Sequence, residues 1–260
     1  MLDDTYGHTP VHKAFEQLDV YGIGVDEARA GRRKVRLGII GAGGVAQSKY
    51  WPSLARLRMI WEPVEVVAFS EPRAEHAQKV QAIYGGTWYP DYRQMLADVE
   101  LDGVLVLGPD ELHMEHTLAS LDAGRHVLVE KPVTRSLAEA AVMCKTAEAR
   151  GLHLMAVANK RYSPPYRRAA KAIHSGAVRD PALFVGKFNL GYDYVDLLES
   201  GTIHLFDLTR YLMGDVAAVN AVGVNRYGRN RRRYPVDNLT MTLEFESGAV
   251  GTIYSSSSAL

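Results

Sequence analysis

The stretch VRLGIIGAGGVA, residues 35–46, decides the fold. Its first half is a short run of β-branched and aliphatic residues, which is typical of a strand buried on both faces of a sheet. Its second half fits the pattern G-x-G-x-x-G/A through Gly41, Gly43 and Ala46, and a helix-like stretch follows to about Leu57. Strand, glycine loop and helix in this order predict a dinucleotide-binding unit.

The residues of such a loop have separate roles. The first glycine permits the tight turn, the second lets the backbone approach a pyrophosphate, and the last small residue allows the helix to pack closely on the sheet. The start of the helix supplies free N–H donors and the positive end of its dipole. A glycine turn without a ligand is the alternative, which the strand–loop–helix context disfavours. We therefore predict cofactor binding by Gly41, Gly43, Gly44, Val45 and Ala46.

A second predicted strand, VEVVAFS at 64–70, is followed by Glu71. An acid in this position is expected to accept hydrogen bonds from the adenosine ribose hydroxyls, which favours NAD. Arg73 lies two residues further on and would suit the 2′-phosphate of NADP instead. We predict NAD as the cofactor, with NADP as the alternative, and Glu71 and Arg73 as cofactor-binding residues.

The rest of the chain divides into two patterns. Apolar runs at 101–108, 125–130 and 152–159 alternate with helical patterns, which predicts a parallel sheet with helices on both faces. After about Arg161 the segments alternate as strands do, with one clear helix, HLFDLTRYLMGD. We predict an α/β fold made of an N-terminal extension (1–34), a Rossmann domain (35–157) and an α+β domain with a largely antiparallel open sheet (158–260).

Composition excludes several classes of function. The 260 residues carry 30 Lys and Arg against 30 Asp and Glu, so the net charge gives no bulk attraction to nucleic acid or anionic membrane. No apolar run approaches the roughly 18 residues of a membrane span, and the N-terminus is unlike a signal peptide, so we expect a cytoplasmic location. No His/Cys spacing suggests a metal site. The single cysteine, Cys144, is predicted to be a small core residue.

The strand VLV at 127–129 ends in Glu130, Lys131 and Pro132. Ligands of an open parallel sheet bind beyond the carboxyl ends of its strands, so this tripeptide is expected to lie beside the glycine loop. A lysine there can donate to a substrate oxygen, and Pro132 restricts the backbone before it. A surface salt bridge at a strand end is the alternative that the tripeptide alone does not exclude.

Five segments occur together in one order, namely VRLGIIGAGGVAQSKYWPSL, GPDELH (108–113), HVLVEKP (126–132), ANKRYSP (158–164) and GTIHLFDLTRYLMGD (201–215). The arrangement resembles the Gfo/Idh/MocA family of glucose–fructose oxidoreductase and inositol dehydrogenase, over about residues 35–260. The resemblance implies a Rossmann domain, a second domain whose open sheet faces the substrate, and NAD(P)-dependent redox chemistry on a sugar or cyclitol hydroxyl. It assigns catalysis to Lys131, which contacts the reacting hydroxyl and the nicotinamide ribose, and to His204.

Two departures from the family pattern stand out. Many members carry Asp four residues before the histidine, where this chain has Ser200, while Glu199 is adjacent to it and Asp207 lies one helical turn after His204. Either a nearby acid substitutes, or the chemistry differs, or it is lost. Members also usually continue well beyond residue 260, which implies a shortened sheet with an exposed edge.

Other residues are candidates by position. Pro109 and His113 follow a strand end on the nicotinamide side implied by the resemblance, and Asn159 and Arg161 follow another strand and suit substrate hydroxyls. Arg161 could equally make an interdomain ion pair. Tyr192 and Tyr194 either line the cleft or pack, and the arginine-rich segment 226–234 is interpreted as a solvated loop. Predicted substrate ligands are therefore Lys131, Asn159, Arg161, Ser200 and His204.

The leading hypothesis is an NAD(P)-dependent dehydrogenase or reductase of a polyol or keto sugar. The opposing hypothesis is a non-catalytic dinucleotide-binding sensor or scaffold, which Ser200 and the short C-terminus favour. A reductase of a non-sugar substrate is a third, since fold does not fix the substrate. Expected partners are the small-molecule substrate and a second copy of the chain through the open sheet, but neither nucleic acid nor membrane.

Overall fold

A computed structural model describes residues 33–60, 64–191, 195–226 and 236–257, with the backbone alone for 58–60. Within those ranges the chain divides between Ala156 and Val157 into two compact units. Nearly all of the predicted extension 1–34, the tyrosines Tyr192 and Tyr194, and all but the first residue of the segment 226–234 lie outside the described residues.

The first unit is built on a six-stranded parallel sheet in the order β3-β2-β1-β4-β5-β6. The order reverses between β1 and β4, which is the arrangement of a Rossmann fold. The strands are β1 (Val35–Ile40), β2 (Val64–Ser70), β3 (Thr87–Tyr89), β4 (Gly103–Val106), β5 (His126–Val129) and β6 (Leu154–Ala156). The α-helices are α1 (Trp51–Ile60), α2 (Ala74–Tyr84), α3 (Tyr92–Asp98), α4 (His113–Asp122) and α5 (Leu137–Ala149).

Helices cover both faces of this sheet, so neighbouring residues of one strand pack into different hydrophobic clusters. Ile40 belongs to a cluster with Val104 and Met143, whereas Ile39 packs with Leu105 and other residues on the opposite face. The side chains of Ile39, Ile40 and Val104 are each at most 3% exposed. Burial on both faces explains why these strands are continuous apolar runs rather than alternating ones.

The second unit is a four-stranded mixed sheet with two α-helices. Its strand order is β7-β10-β9-β8, in which β7 and β10 run parallel and the other pairs are antiparallel. The strands are β7 (Leu183–Asn189), β8 (Val216–Val224), β9 (Asn238–Phe245) and β10 (Val250–Ser256), and the helices are α6 (Pro164–His174) and α7 (Ile203–Met213). Leu205 of α7 packs with Leu243, Phe245 and Ile253 on one face of the sheet.

These elements confirm the predicted fold class, a Rossmann sheet plus a second α+β unit. The predicted strands at 35–40 and 64–70 have the observed bounds, and FESGAVG forms the turn between β9 and β10. The prediction for Cys144 is wrong, since the residue is exposed. Helix α5 buries Met143 and Ala147, one turn apart, and Cys144 lies about 100° around the helix from Met143.

Candidate functional site

The glycine loop is fixed by contact between the ends of β1 and β4. Gly41 has φ +97°, and a Cβ there would lie 2.7 Å from the backbone N and Cα of Gly108. No side chain fits at that distance, and the positive φ also disfavours L-residues. The Gly41 N–H donates to the Ser70 carbonyl at 2.9 Å, so the loop is tied to β2 as well.

The next two glycines border open space. A Cβ on Gly43 would meet only the Nη2 of Arg73, at 3.8 Å, and a Cβ on Gly44 would meet nothing within 4 Å. The helix begins at Gly44 and continues through a π-turn (Ala46–Tyr50) into α1. Ala46, the first residue of the π-turn, is fully buried. The backbone of Gly43 and Gly44 thus borders open space at the start of a helix, which is a suitable place for the pyrophosphate of a dinucleotide.

Glu71 and Arg73 form a single ion pair at the edge of this loop. Glu71 is 2% exposed, and its Oε1 accepts from the Nε of Arg73 at 2.7 Å. Its Oε2 accepts from the N–H of Ala42, inside the glycine loop, at 3.0 Å. Burial alone would raise the pKa of Glu71, but the hydrogen bonds from Arg73 and Ala42 outweigh it and hold the pKa below its usual value. The side chain of Arg73 remains 59% exposed.

Glu130 holds the backbone of the Glu-Lys-Pro turn. Its N–H donates to Val106 of the neighbouring strand at 3.0 Å, and its Oε2 accepts from the N–H of Lys131 at 2.7 Å. Its Oε1 accepts from the hydroxyl of Tyr50 at 2.8 Å. Burial and the Glu130 carboxylate raise the pKa of Tyr50, so the phenol stays protonated and donates. The Lys131–Pro132 peptide is cis.

His113 joins this turn to the end of β4. The ring is 1% exposed, with Nδ1 2.6 Å from the Pro132 carbonyl oxygen and Nε2 3.1 Å from the Gly108 carbonyl oxygen. His113 therefore ties together two backbone segments, one of which also contacts Gly41. Pro109 follows Gly108 and is exposed, and its carbonyl accepts from Leu112 at 2.9 Å.

The residues after β1, β4 and β5 thus lie side by side at one edge of the sheet, as the parallel order requires. This edge carries most of the predicted cofactor residues, namely Gly41, Gly43, Gly44, Val45, Ala46, Pro109, His113, Glu130, Lys131 and Pro132. Tyr50 and Gly108 are supports that the sequence reasoning missed. Nothing in the sequence pairs Tyr50 with Glu130, whereas Gly108 ends the apolar run 101–108 and could have been recognised as the neighbour of Gly41.

In the second unit, His204 is the second residue of α7, and that helix directly follows a π-turn (Leu197–Thr202). The carboxylate of Asp196 caps the turn by accepting from the N–H groups of Leu198 and Glu199, at 2.8 and 2.9 Å. The imidazole of His204 lies beside the ring of Phe188, with 5.9 Å between the ring centroids. Both Ser200 and His204 are half-buried.

Arg161 makes an ion pair within the second unit. Its Nε lies 2.8 Å from each carboxylate oxygen of Asp207, and its guanidinium lies 5.0 Å from the ring centre of Tyr211. The hydrogen bond to Asp207 raises the pKa of Arg161. Asn159 opens the same short 3₁₀ turn (Asn159–Tyr162) and is exposed. The ion pair of Arg161 therefore lies within the second unit, with Asp207 as its partner, and is not the interdomain pair that was considered from the sequence.

No group of three or more His, Cys, Asp or Glu side chains among the described residues is placed to hold a metal ion. Likewise, no helix within the described ranges is long and apolar enough to cross a bilayer.

Comparison with known families gives two matches. Residues 35–157 match the profile described as "Oxidoreductase family, NAD-binding Rossmann fold", and residues 197–260 match the "GFO/IDH/MocA C-terminal domain". The first covers the sheet edge described above, and the second contains the π-turn and His204.

Named relatives and solved structures agree with these matches. Inositol 2-dehydrogenase 3 of Saccharopolyspora erythraea is 27% identical over 83% of this chain and 64% of its own length. D-glucoside 3-dehydrogenase of Escherichia coli is 30% identical over 83% of this chain and 68% of its own. The crystal structure of a probable dehydrogenase from Thermotoga maritima superposes with a TM-score of 0.78, at 26% identity over 86% of this chain and 69% of that one.

The chain thus spans about two thirds of the length of the relatives that it matches. The two profile matches together cover most of the chain, in the order in which the two units occur. The glycine loop, the Glu-Lys-Pro turn and the histidine helix all lie inside the matched segments. The chain therefore belongs to the Gfo/Idh/MocA family of oxidoreductases.

Proposed function

We propose that this protein transfers hydride between a nicotinamide dinucleotide and a hydroxyl or keto carbon of a sugar or cyclitol. The observation that carries the proposal is the arrangement of residues at one edge of the parallel sheet. There the backbone of Gly43 and Gly44 adjoins open space. Lys131 follows β5, which lies two strands from β1 in the sheet. The relatives named as inositol and glucoside dehydrogenases support the substrate class.

Each residue of the site is proposed to have a separate role in hydride transfer. The nicotinamide, when bound, supplies the site that accepts or returns hydride. Lys131 donates to the substrate oxygen and polarises it, with its backbone held by Glu130 and its proline held by His113. His204 takes the proton of the alcohol during oxidation and returns it during reduction. Asn159 and Ser200 are proposed to bind other substrate hydroxyls.

The proposed role of Arg161 in substrate binding is smaller than its position in the sequence suggests. Its guanidinium already binds Asp207 through Nε and Nη2, at 2.8 and 2.7 Å. Only its remaining N–H groups are therefore proposed to reach the substrate. Asp207, in turn, already accepts from Arg161 through both of its carboxylate oxygens.

The replacement Lys131→Met tests catalysis directly. It is expected to lower turnover with NAD⁺ on the best substrate of a polyol and cyclitol panel by about 100-fold or more, because it removes the donor to the reacting oxygen. Lys145→Met, which removes an exposed lysine of α5, is the matched control and should retain full activity.

Three results would contradict the proposal in different ways. Cofactor binding without turnover on any polyol, by the unaltered protein, would support the non-catalytic hypothesis. Turnover that survives Lys131→Met undiminished would place the chemistry elsewhere. Activity confined to non-sugar carbonyl compounds would support the third hypothesis.

For the cofactor, we propose NAD(H), with NADP(H) admitted through Arg73. The Glu71 carboxylate is nearly fully buried and already accepts from Ala42 and Arg73, so its repulsion of a 2′-phosphate is partly neutralised. Arg73 is exposed beside Gly43 and carries the charge that a phosphate needs. From the sequence, Glu71 and Arg73 are alternatives, the first favouring NAD and the second NADP. In the structure the two side chains form one ion pair.

Titration with NADH and NADPH, followed by nicotinamide fluorescence, measures this selection. Arg73→Gln is expected to weaken NADPH binding by about tenfold or more and to change NADH binding little, because only NADPH carries the extra phosphate. Arg93→Gln, at an exposed site on α3, is the control. An Arg73→Gln protein that binds NADPH as the unaltered protein does would contradict the role of Arg73.

We also propose self-association through the second sheet. The face of that sheet opposite α7 carries Val185 and Val222, and five of its aliphatic side chains are between 50% and 68% exposed, namely Leu183, Val185, Val222, Val224 and Val250. Exposed aliphatic side chains grouped on one face commonly mark an interaction surface.

Light scattering after size-exclusion chromatography tests this surface. The unaltered protein is expected to elute as a dimer or larger assembly, and Val185→Glu combined with Val222→Glu should shift it to the monomer. Replacing Ile83, which is 71% exposed on α2 of the first unit, by Glu is the control. A monomeric unaltered protein would contradict self-association.

A further inference from the structure

Tyr50 connects the helix that starts at the glycine loop with the Glu-Lys-Pro turn. It is the last residue of the π-turn Ala46–Tyr50, which leads from that loop into α1. Its ring is half-buried and packs against the apolar cluster that contains Ile39 and Leu105, on one face of the parallel sheet. Its hydroxyl donates to the Oε1 of Glu130, the first residue after β5, at 2.8 Å. A side chain of this helix is thus bonded directly to the turn.

The Glu130 carboxylate extends this contact to the backbone of Lys131. Strand β5 ends at Val129, so the N–H of Lys131 lies beyond the hydrogen bonds of the sheet and needs another acceptor. That acceptor is the Oε2 of Glu130, at 2.7 Å. One carboxylate therefore accepts from the Tyr50 hydroxyl through one oxygen and from the Lys131 N–H through the other.

The bond between the Glu130 carboxylate and the Lys131 N–H depends on one conformation of a long side chain. To reach the N–H of the next residue, the glutamate has to fold back along its own backbone, and holding it there costs rotamer freedom. The Tyr50 side chain has only two main torsions and its ring is packed in the cluster, so its hydroxyl is presented from a nearly fixed point. The hydroxyl therefore favours the glutamate conformation that binds Lys131.

We propose that Tyr50 is a positioning residue for Lys131. Its hydroxyl fixes the Glu130 carboxylate, which fixes the N–H of Lys131 and with it the point from which the lysine side chain starts. Tyr50 also lies on the helix whose start is proposed to bind the pyrophosphate, so the lysine and the cofactor are held at one spacing. This inference rests on the proposed function, in which Lys131 donates to the reacting oxygen. It assigns Tyr50 no contact with substrate or cofactor.

Loss of the Tyr50 hydroxyl is expected to affect turnover more than cofactor binding. The open space and backbone N–H groups of the glycine loop do not involve that hydroxyl, whereas the support of Lys131 does. A small displacement of a catalytic group lowers the rate of the chemical step strongly, even where binding is kept. The expected signature is therefore a lower kcat with an unchanged affinity for NADH.

The replacement Tyr50→Phe, with Tyr84→Phe as its matched control, tests this signature. Tyr84→Phe removes a hydroxyl from another tyrosine of the same apolar cluster, one whose ring stacks on Trp51. Tyr50→Phe is expected to lower kcat on the best substrate of the polyol and cyclitol panel by about tenfold and to change the Kd of NADH by less than about twofold. Tyr84→Phe should leave both values unchanged.

A double-mutant cycle with Glu130→Ala tests whether Tyr50 acts through the carboxylate. Glu130→Ala removes the acceptor of both hydrogen bonds, so adding Tyr50→Phe to it should lower kcat further by less than about twofold. A Tyr50→Phe effect as large in the Glu130→Ala protein as in the unaltered protein would overturn the proposal. So would a loss of NADH affinity that matches the loss of kcat.

The backbone amide of Lys131 gives a readout that needs no turnover. In protein labelled with ¹⁵N-lysine, its NMR signal is the one missing from a Lys131→Met protein. Tyr50→Phe is expected to shift this signal and to speed exchange of the amide hydrogen by about tenfold or more, because its bond to Glu130 is weakened, whereas Tyr84→Phe should not. An unchanged Lys131 amide overturns the proposal. Inactivity of the unaltered protein on every polyol would count against the proposed function, and the amide would still decide the role of Tyr50.

Discussion

The first unit depends on the approach of two backbone segments, Gly41 at the end of β1 and Gly108 after β4. A side chain on Gly41 would lie 2.7 Å from that backbone, so the contact exists only because Gly41 has none. The approach lets the loop turn over the sheet at the point where the strand order reverses. The open space beside Gly43 and Gly44 and the position of the Glu-Lys-Pro turn both follow from it.

Buried polar side chains fix the backbone at this edge of the sheet. Glu71 binds the loop through Ala42, Glu130 binds the backbone of Lys131, and His113 lies between the carbonyls of Pro132 and Gly108. Each of these groups satisfies backbone atoms that would otherwise be left without partners at strand ends. Lys131 and Arg73 are thereby held on fixed backbone, which is what a reacting hydroxyl and a phosphate require.

The sequence predicted the Rossmann half well because its signals are local. Strands buried on both faces read as continuous apolar runs, and the glycine loop has a fixed spacing. The three-residue strand β3 is too short to give a period, and the parallel pairing of β7 with β10 joins segments more than 60 residues apart. The ion pairs Glu71–Arg73 and Arg161–Asp207 depend on side-chain directions, which spacing alone does not give. The π-turn was missed for a related reason, since a one-residue change of helical winding leaves no mark on composition.

The replacement Gly43→Val tests whether the backbone at Gly43 receives a dinucleotide. The fold has room for a side chain there, because a Cβ would meet only Arg73 at 3.8 Å. Gly43→Val is expected to leave thermal unfolding nearly unchanged and to weaken NADH binding by about 100-fold or more, since the side chain would occupy the approach to the pyrophosphate. NADH affinity equal to that of the unaltered protein would mean that the dinucleotide does not bind against this backbone.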